Sequence, residues 1–245
     1  MSLLTPAEVQ YYHQNGYLLY HKPVLKPERL EQLNTIFEQH LAEKGAKLSD
    51  ELDTPHFRDP RLLDFLLDPL VLDLVEPLIG PNIGLFSSHF ICKDPFTGRA
   101  TPWHEDSSFW KSRFDHFDKI VTVWLALDRS TRENGCMRVI PGSHSNGFSD
   151  YIPADPQKNM FPEQIRQVDD SRVVDFELER GHASLHDSRI IHGAEPNTSP
   201  HRRCGYTMRY FSTELHYNYE SFPDFHIWLA RGKDLGKNRF EKVKK

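Results

Sequence analysis

The segment KIVTVWLALDRSTRENGCMRVI, residues 119–140, decides the fold class of this chain. It begins with a run of β-branched, aromatic and aliphatic residues over 119–127 and ends with a second such run over 136–140. Polar residues and an Asn-Gly pair separate the two runs. Short apolar runs bounded by turn residues are typical of β-strands, so the segment predicts two consecutive strands.

Similar runs precede and follow this segment. They cover residues 83–92, 102–106, 173–178, 183–192 and 205–212, and Gly, Pro or Asn lies between most of them. Many short strands separated by turn residues are typical of antiparallel barrels and jelly rolls. We therefore predict a β-barrel core over residues 83–213.

The first 80 residues have a different, helical pattern. Thr5-Pro6-Ala7-Glu8 has the spacing of a capping box with Pro at the first helical position. We predict helices over residues 5–16 and 27–45, a strand over 17–20, and a helical region over 60–79 that is broken or kinked at Pro69. The expected fold is mainly β with flanking helices, a double-stranded β-helix of the cupin-like jelly-roll type with an N-terminal helical layer.

Length and composition fit a single domain over residues 1–245, with 214–245 as a C-terminal extension. We expect the basic run 231–245 to be a solvated tail without a function. Residues 143–170, and to a lesser degree 107–118, lack periodicity and are too long for tight turns. Loops of that length in a compact domain are often lids over a site.

Charge and apolarity limit the classes of partner. The formal net charge is −5, which gives no general attraction to a polyanion, so we predict no nucleic-acid partner. The richest apolar stretch, residues 62–79, is interrupted by acidic residues, and we predict no membrane span. Three separated cysteines without a C-x-x-C pair favour neither disulfides nor a zinc site. We expect a cytoplasmic protein that binds a small molecule.

The stretch TPWHEDSSFW, residues 101–110, contains the first candidates for metal binding, His104 and Asp106. On a strand, side chains at i and i+2 lie on the same face, about 6 to 7 Å apart, so both could contact one ion. A second predicted strand in LHDSRIIHGAEPN supplies His186 and His192. Two imidazoles and one carboxylate form the facial triad of non-haem Fe(II) oxygenases. We favour His192 as the third ligand and leave His186 as a pocket residue.

The alternative is that these residues have no ligand role. The chain has 14 histidines, and most of them must be ordinary surface or core residues. Adjacent arginines such as Arg202 and Arg203 are usually a solvated pair. Spacing alone decides only weakly between these interpretations.

Several stretches in order resemble the phytanoyl-CoA dioxygenase family of Fe(II)/2-oxoglutarate oxygenases. LTPAEVQYYHQNGYLLY resembles the family's N-terminal helix and strand, WHEDSSFW its proximal ligand motif, and HGAEPNTSPHRRCGYTMRY its distal ligand and co-substrate arginine. The segment from 123 to 144 resembles its central strands and turn. The resemblance covers nearly the whole chain.

The resemblance implies roles for individual residues. His104, Asp106 and His192 would ligate iron, and Arg203 would pair with the distal carboxylate of 2-oxoglutarate. Further contacts to the co-substrate are expected from Lys93, Thr122 and Trp124. The family often has Ser two residues after the distal His, whereas this chain has Ala194.

The resemblance also implies a reaction in which Fe(II), 2-oxoglutarate and O₂ hydroxylate a substrate C–H bond and release succinate and CO₂. Related halogenases lack the carboxylate ligand, so Asp106 favours hydroxylation, desaturation or ring formation. Expected substrate contacts are Trp103, Phe109, Trp110, His186 and Arg209, with positive charge added by Lys111 and Arg113.

The substrate class has two interpretations. Aromatic and cationic residues together would suit a small zwitterion such as an aminophosphonate or a quaternary amine, although such aromatics are more often core or lid residues. Aromatics alone would suit a hydrophobic natural product. Two further alternatives are a non-catalytic cupin-like binding protein and a zinc hydrolase, because the same fold and ligands also serve these functions.

Overall fold

The computed structural model describes residues 3–45 and 47–243, and its N-terminal third is helical as predicted. The helices are α1 (Pro6–Asn15), α2 (Pro27–Glu43), α3 (Leu63–Leu66) and α4 (Pro69–Ile79). The capping box predicted for α1 is present, because the Glu8 amide donates to Thr5 Oγ1 at 3.3 Å and the Thr5 amide donates to Glu8 Oε2 at 2.7 Å. The predicted break in the third region lies between α3 and α4, and Pro69 is the first residue of α4.

The remaining chain consists mainly of short strands. In chain order they are β1 (Tyr17–Tyr20), β2 (Leu52–Asp53), β3 (Ile83–Lys93), β4 (Thr101–His104), β5 (Ile120–Ala126), β6 (Met137–Val139), β7 (Tyr151–Pro153), β8 (Glu163–Ile165), β9 (Val174–Asp175), β10 (Ala183–Asp187), β11 (His192–Ala194), β12 (Arg203–Ser212) and β13 (Trp228–Arg231). The mainly β fold with flanking helices is confirmed.

The strands form two larger antiparallel sheets and one hairpin. The major sheet has the order β1-β10-β5-β12-β3-β13, and β2 also pairs with β3. The minor sheet has the order β4-β11-β6-β9, and β7 pairs with β8. Two antiparallel sheets with helices on the outside agree with the predicted jelly roll.

The major sheet separates an apolar layer from a polar interior. On β12, the even-numbered residues Cys204, Tyr206, Met208 and Tyr210 belong to the buried core that also contains Leu33, Phe37 and Val75 of the helices. The odd-numbered residues Arg203, Thr207 and Arg209 line a cavity on the other face. Because side chains alternate along a strand, one strand both seals the helical layer and supplies the site.

The prediction of one strand over residues 183–192 is wrong. β10 ends at Asp187, and β11 begins at His192 in the other sheet. Asp187 turns the chain here, since its Oδ1 accepts a hydrogen bond from the Arg189 amide at 2.9 Å. An alternation argument from His186 to His192 therefore does not apply, because the two lie on different strands.

The C-terminal extension packs on the barrel through β13, whereas most of the predicted solvated tail after Arg231 is exposed over its described part, residues 232–243. β13 pairs with β3. Arg231 forms ion pairs with Asp73 at 2.8 Å and Glu76 at 2.7 Å, which join the extension to α4. In residues 3–45 and 47–243, no helix is long and apolar enough to cross a membrane.

Candidate metal and co-substrate site

His104 and Asp106 lie at the end of β4. The strand stops at His104, and Asp106 starts a 3-10 helix, so the prediction that both lie on one strand is wrong in detail. Glu105 between them keeps an extended backbone, with φ −106° and ψ 129°. The two side chains therefore still lie on the same side, with His104 Nε2 3.7 Å from Asp106 Oδ1.

His192 reaches the same point from the neighbouring strand. It is the register partner of His104 in the β4–β11 pair, and the two ring centroids are 4.1 Å apart. One ligand atom from each of His104, Asp106 and His192 lies within 4.8 Å of the other two, and all three residues are buried. This cluster has the composition that was predicted.

Backbone carbonyls fix the orientation of both imidazoles. His104 Nδ1 donates to the Pro102 carbonyl oxygen at 2.8 Å, and His192 Nδ1 donates to the Ile190 carbonyl oxygen at 3.0 Å. A carbonyl oxygen can only accept, so Nδ1 carries the proton and each Nε2 has a free lone pair for a metal. Burial, followed by the charge of His104, holds the pKa of His192 well below its usual value, which favours the neutral ligand form.

Thr122 and Arg209 hold Asp106 in place. Thr122 Oγ1 donates to Asp106 Oδ2 at 3.2 Å, and Arg209 Nε lies 3.4 Å from the same oxygen. Burial alone would raise the pKa of Asp106, but the Arg209 charge and the contacts with His104 and His186 hold it well below its usual value. Asp106 is therefore a carboxylate. Thr122, predicted to bind the co-substrate, instead contacts the candidate ligand and does not line the cavity.

A cavity of about 490 Å³ opens from these three residues. Both sheets contribute to its wall, so the cavity lies between the two sheets of the barrel. Residues that line it include His89, Ile91, Thr101, Trp124, Met137, Met160, Phe161, His186, Ala194, Arg203, Thr207 and Arg209.

Several buried polar atoms face this cavity without a hydrogen-bond partner among the described residues. They are Arg203 Nε, Thr207 Oγ1, and both ring nitrogens of His186. An unpaired buried polar group typically costs about 1 to 3 kcal/mol, so several of them around one cavity indicate a polar ligand. Burial lowers the pKa of Arg203 to about 10, a value at which it still carries its charge at neutral pH.

Trp124 and Arg203 form one wall of the cavity. The guanidinium carbon of Arg203 lies 4.4 Å from the centroid of the Trp124 ring. Gly205 makes room for this arrangement, because a Cβ at that position would lie 2.0 Å from the Trp124 ring. Trp124 therefore lines the cavity and orients the arginine, and its predicted contact with the co-substrate stays a prediction.

Two other predicted contacts lie elsewhere. The Lys93 ammonium donates to the carbonyl oxygens of Glu195 at 2.6 Å and Ala194 at 3.4 Å, and Lys93 does not line the cavity. Burial, followed by the charge of Arg203, holds the pKa of Lys93 well below its usual value. Trp103 precedes His104 on β4 and therefore faces outward, where Arg138 lies over its ring at 5.8 Å.

A wider vestibule of about 910 Å³ adjoins the cavity. The two share His89, Asp106, Met160, Phe161 and Arg209 in their walls. The predicted substrate residues Phe109 and Trp110 line the vestibule, as do Asp50, Glu51, Asp53, Phe86, Arg113 and Phe225. Lys111 does not line it, since its ammonium lies over Phe148 at 4.2 Å.

The predicted lid segment does cover the site. Its hairpin, β7 and β8, flanks Met160 and Phe161, which line both cavities. Glu105 fixes the base of this segment, because its carboxylate accepts hydrogen bonds from the Ser149 amide at 3.0 Å and from the Tyr151 hydroxyl. The sequence did not predict Glu105, Met160, Phe161 or Thr207 as site residues. Thr207 could have been found from its odd-numbered alternation with Arg203 and Arg209, but Glu105 and Phe161 carry no local signal.

The sequence model of the family described as phytanoyl-CoA dioxygenase (PhyH) matches residues 12–205. The chain belongs to the phytanoyl-CoA dioxygenase family. A phytanoyl-CoA dioxygenase domain-containing protein 1 homolog from Dictyostelium discoideum is 31% identical over 185 residues, which cover 73% of this chain and 63% of the relative. The chain thus spans less than two thirds of that family member's length.

Solved structures support the jelly-roll fold of the present chain. The non-heme monooxygenase ThoJ, in its apo form, superimposes with a TM-score of 0.78 at 23% identity and covers 96% of this chain and 87% of ThoJ. EvdO2 from Micromonospora carbonacea var. aurantiaca, complexed with 2-oxoglutarate, gives a TM-score of 0.72 at 21% identity, with coverage of 85% and 91%.

Proposed function

We propose that this protein is an Fe(II)- and 2-oxoglutarate-dependent dioxygenase that hydroxylates an unactivated C–H bond of a small molecule. The observation that carries the proposal is the buried cluster of His104, Asp106 and His192, whose ligand atoms lie within 4.8 Å of one another. Two imidazoles and one carboxylate are the ligand set of non-haem Fe(II) oxygenases. Family membership supports the same reaction class.

Arg203 is the proposed anchor for 2-oxoglutarate. Its guanidinium lines the cavity, its Nε has no hydrogen-bond partner among the described residues, and a dicarboxylate would supply the missing acceptor. Thr207 Oγ1 is also unpartnered and lies on the same face of β12. We propose that Thr207 replaces the serine hydroxyl that Ala194 lacks.

When bound, iron, 2-oxoglutarate and O₂ supply the oxidation, which converts 2-oxoglutarate to succinate and CO₂. The chain supplies geometry and a dry cavity. Pro102 and Ile190 carbonyls hold both imidazoles in the ligand tautomer, and Thr122 and Arg209 hold Asp106 as a carboxylate. Burial of the three ligands excludes bulk water from the reacting atoms.

The proposed substrate is a small zwitterion such as an aminophosphonate or a quaternary amine. The vestibule wall supports this proposal because it carries both signs of charge, from Asp53 and from Arg113 and Arg209. Its aromatic residues, which include Phe109 and Trp110, also support the alternative of a hydrophobic natural product. A cytoplasmic location remains a prediction.

The decisive experiment is anaerobic addition of Fe(II) and 2-oxoglutarate to the purified protein. We expect a weak visible charge-transfer band that is lost in His104→Ala and kept in His13→Ala, a matched control at an exposed histidine. Succinate release should then require O₂. Turnover with zinc and without O₂ would instead establish a hydrolase. Absence of both the band and succinate release across a substrate panel would support a binding protein.

A further inference from the structure

Arg113 occupies an unusual position in the vestibule wall. It follows the 3-10 helix Asp106–Trp110, and its guanidinium carbon lies 4.6 Å from the ring centroids of both Phe222 and Phe225. These two rings belong to the C-terminal extension. Both rings contact the guanidinium, so aromatic rings and not a carboxylate position it.

The charge of Arg113 is not neutralised within the described chain. Among the described residues it forms no ion pair, its buried Nε has no hydrogen-bond partner, and the polar group beside its side chain is the Tyr217 hydroxyl. Two other arginines nearby are paired, since Arg99 Nη2 lies 2.6 Å from Asp50 Oδ1 and Arg209 Nε lies 3.4 Å from Asp106 Oδ2. Burial raises the pKa of the adjacent Tyr217 to about 12, and the Arg113 charge partly opposes that rise. Tyr217 therefore remains a neutral phenol beside Arg113.

The aromatic rings of the vestibule already contact guanidinium groups of the protein. Arg209 lies over Trp110 at 5.3 Å, and Arg113 lies over Phe225 at 4.6 Å and Phe86 at 5.9 Å. A quaternary ammonium would have to displace these cations from the ring faces and would be repelled by them. The arrangement therefore favours an anionic group on this wall, and within the proposed substrate class it disfavours the quaternary amine and favours a zwitterion with an anionic head group.

We propose that Arg113 binds an anionic group of the substrate, a carboxylate, sulfonate or phosphonate, and thereby selects substrates that carry one. This inference rests on the proposed function and specifies its substrate class. The vestibule and the inner cavity share Asp106 and Arg209, so a molecule held at Arg113 can extend toward the metal ligands. Arg113 acts in recognition and contacts no metal ligand.

The test uses the 245-residue protein loaded anaerobically with Fe(II) and saturating 2-oxoglutarate, so that Arg203 is already occupied. Dissociation constants are measured by calorimetry for 2-aminoethylphosphonate, taurine and β-alanine. These compounds share one aminoethyl chain and differ in the anionic head group, which is a phosphonate, a sulfonate and a carboxylate, respectively. Ethanolamine has the same ammonium without the anion, and choline is the quaternary amine. We expect at least one anion to bind more tightly than ethanolamine and choline.

Arg113→Met keeps the apolar stem between the two phenylalanines and removes the charge. Loss of a charge-assisted hydrogen bond should weaken binding of that anion about ten- to hundredfold, with Arg113→Lys intermediate. Arg129→Met is the matched control, because Arg129 is exposed and pairs with Glu179 outside the vestibule. If Arg113→Met does not fold, the smaller loss of anion affinity expected for Arg113→Lys provides the test.

Each result bears on a separate claim. Equal anion affinity in wild type and both Arg113 variants overturns this inference, and so does tighter binding of choline than of every anion. In both cases a normal charge-transfer band leaves the proposed oxygenase intact. Absence of the band overturns the proposed function and this inference together.

Discussion

The inner cavity and the vestibule share five wall residues but differ in the elements that form the rest of their walls. Residues from two hydrogen-bonded sheets line the inner cavity, and several of its buried polar atoms are unpartnered. The vestibule draws on a 3-10 helix, the segment before β3 and the C-terminal extension, and two of its arginines lie on aromatic rings. The comparison indicates that the two sheets form the proposed site for the metal and 2-oxoglutarate. The less regular segments line the proposed entrance for the substrate.

The strongest test of the inner cavity is Asp106→Ala. This change removes the only carboxylate of the cluster, and loss of a metal ligand should weaken Fe(II) binding by more than about hundredfold, beyond the effect typical of outer contacts. Equilibrium titration of Fe(II) under anaerobic conditions measures the effect. Asp118→Ala, at an exposed carboxylate outside the cluster, is the control. Unchanged iron affinity would remove Asp106 from the ligand set.

The next largest effect is expected for Arg203→Ala. Loss of the pairing with the distal carboxylate should raise the dissociation constant of 2-oxoglutarate about ten- to hundredfold, while Fe(II) affinity changes little. The intensity of the charge-transfer band against 2-oxoglutarate concentration provides the measurement. Arg202→Ala is a matched control, because Arg202 is the adjacent residue and pairs with Asp128 at 2.8 Å. An equal effect of both variants would contradict the role assigned to Arg203.

Glu105→Gln tests the segment that lines both the inner cavity and the vestibule. The substitution keeps the shape of the side chain but weakens its bonds to Ser149 and Tyr151, so the segment that carries Phe161 should move more freely. We expect substrate KM to rise up to about tenfold, as for loss of one charge-assisted hydrogen bond, with faster proteolysis within residues 143–170. Proteolysis at the wild-type rate would show that Glu105 does not fix this segment.

The smallest effect is expected at the rim of the vestibule. Phe109 is 41% exposed, so Phe109→Ala removes only part of an apolar contact and should raise substrate KM about two- to fivefold. The ring centroid of Phe109 lies 5.7 Å from that of His104, but Phe109 does not line the inner cavity, so the affinity for 2-oxoglutarate should stay within about twofold. Phe96→Ala, at another exposed phenylalanine, is the control. A larger change in 2-oxoglutarate affinity than in substrate KM would contradict the separate roles of the inner cavity and the vestibule.

The sequence predicted the parts of the molecule that depend on local patterns. Strand runs, the capping box of α1 and the break at Pro69 follow from alternation, caps and proline geometry. The cluster of His104, Asp106 and His192 was also predicted, because its members lie at strand ends and in a recognisable order.

Other features depend on contacts distant in sequence and had no local signal. The apolar run over residues 183–192 predicts one strand, but the chain passes from the major to the minor sheet after Asp187. The pattern of residue types does not indicate this change. Lys93 was expected to face the co-substrate, but only the fold reveals that two backbone carbonyls accept from its ammonium. The pairing of Arg113 with Phe222 and Phe225 spans more than a hundred residues.

The C-terminal extension has a consequence for the proposed selectivity. The family match ends at residue 205, whereas Phe222 and Phe225, which contact Arg113, come after it. Under the proposed function, substitutions in this extension would change which molecules bind without altering His104, Asp106 or His192. Exchange of residues 214–243 with those of a related protein would then alter selectivity while these three residues stay unchanged.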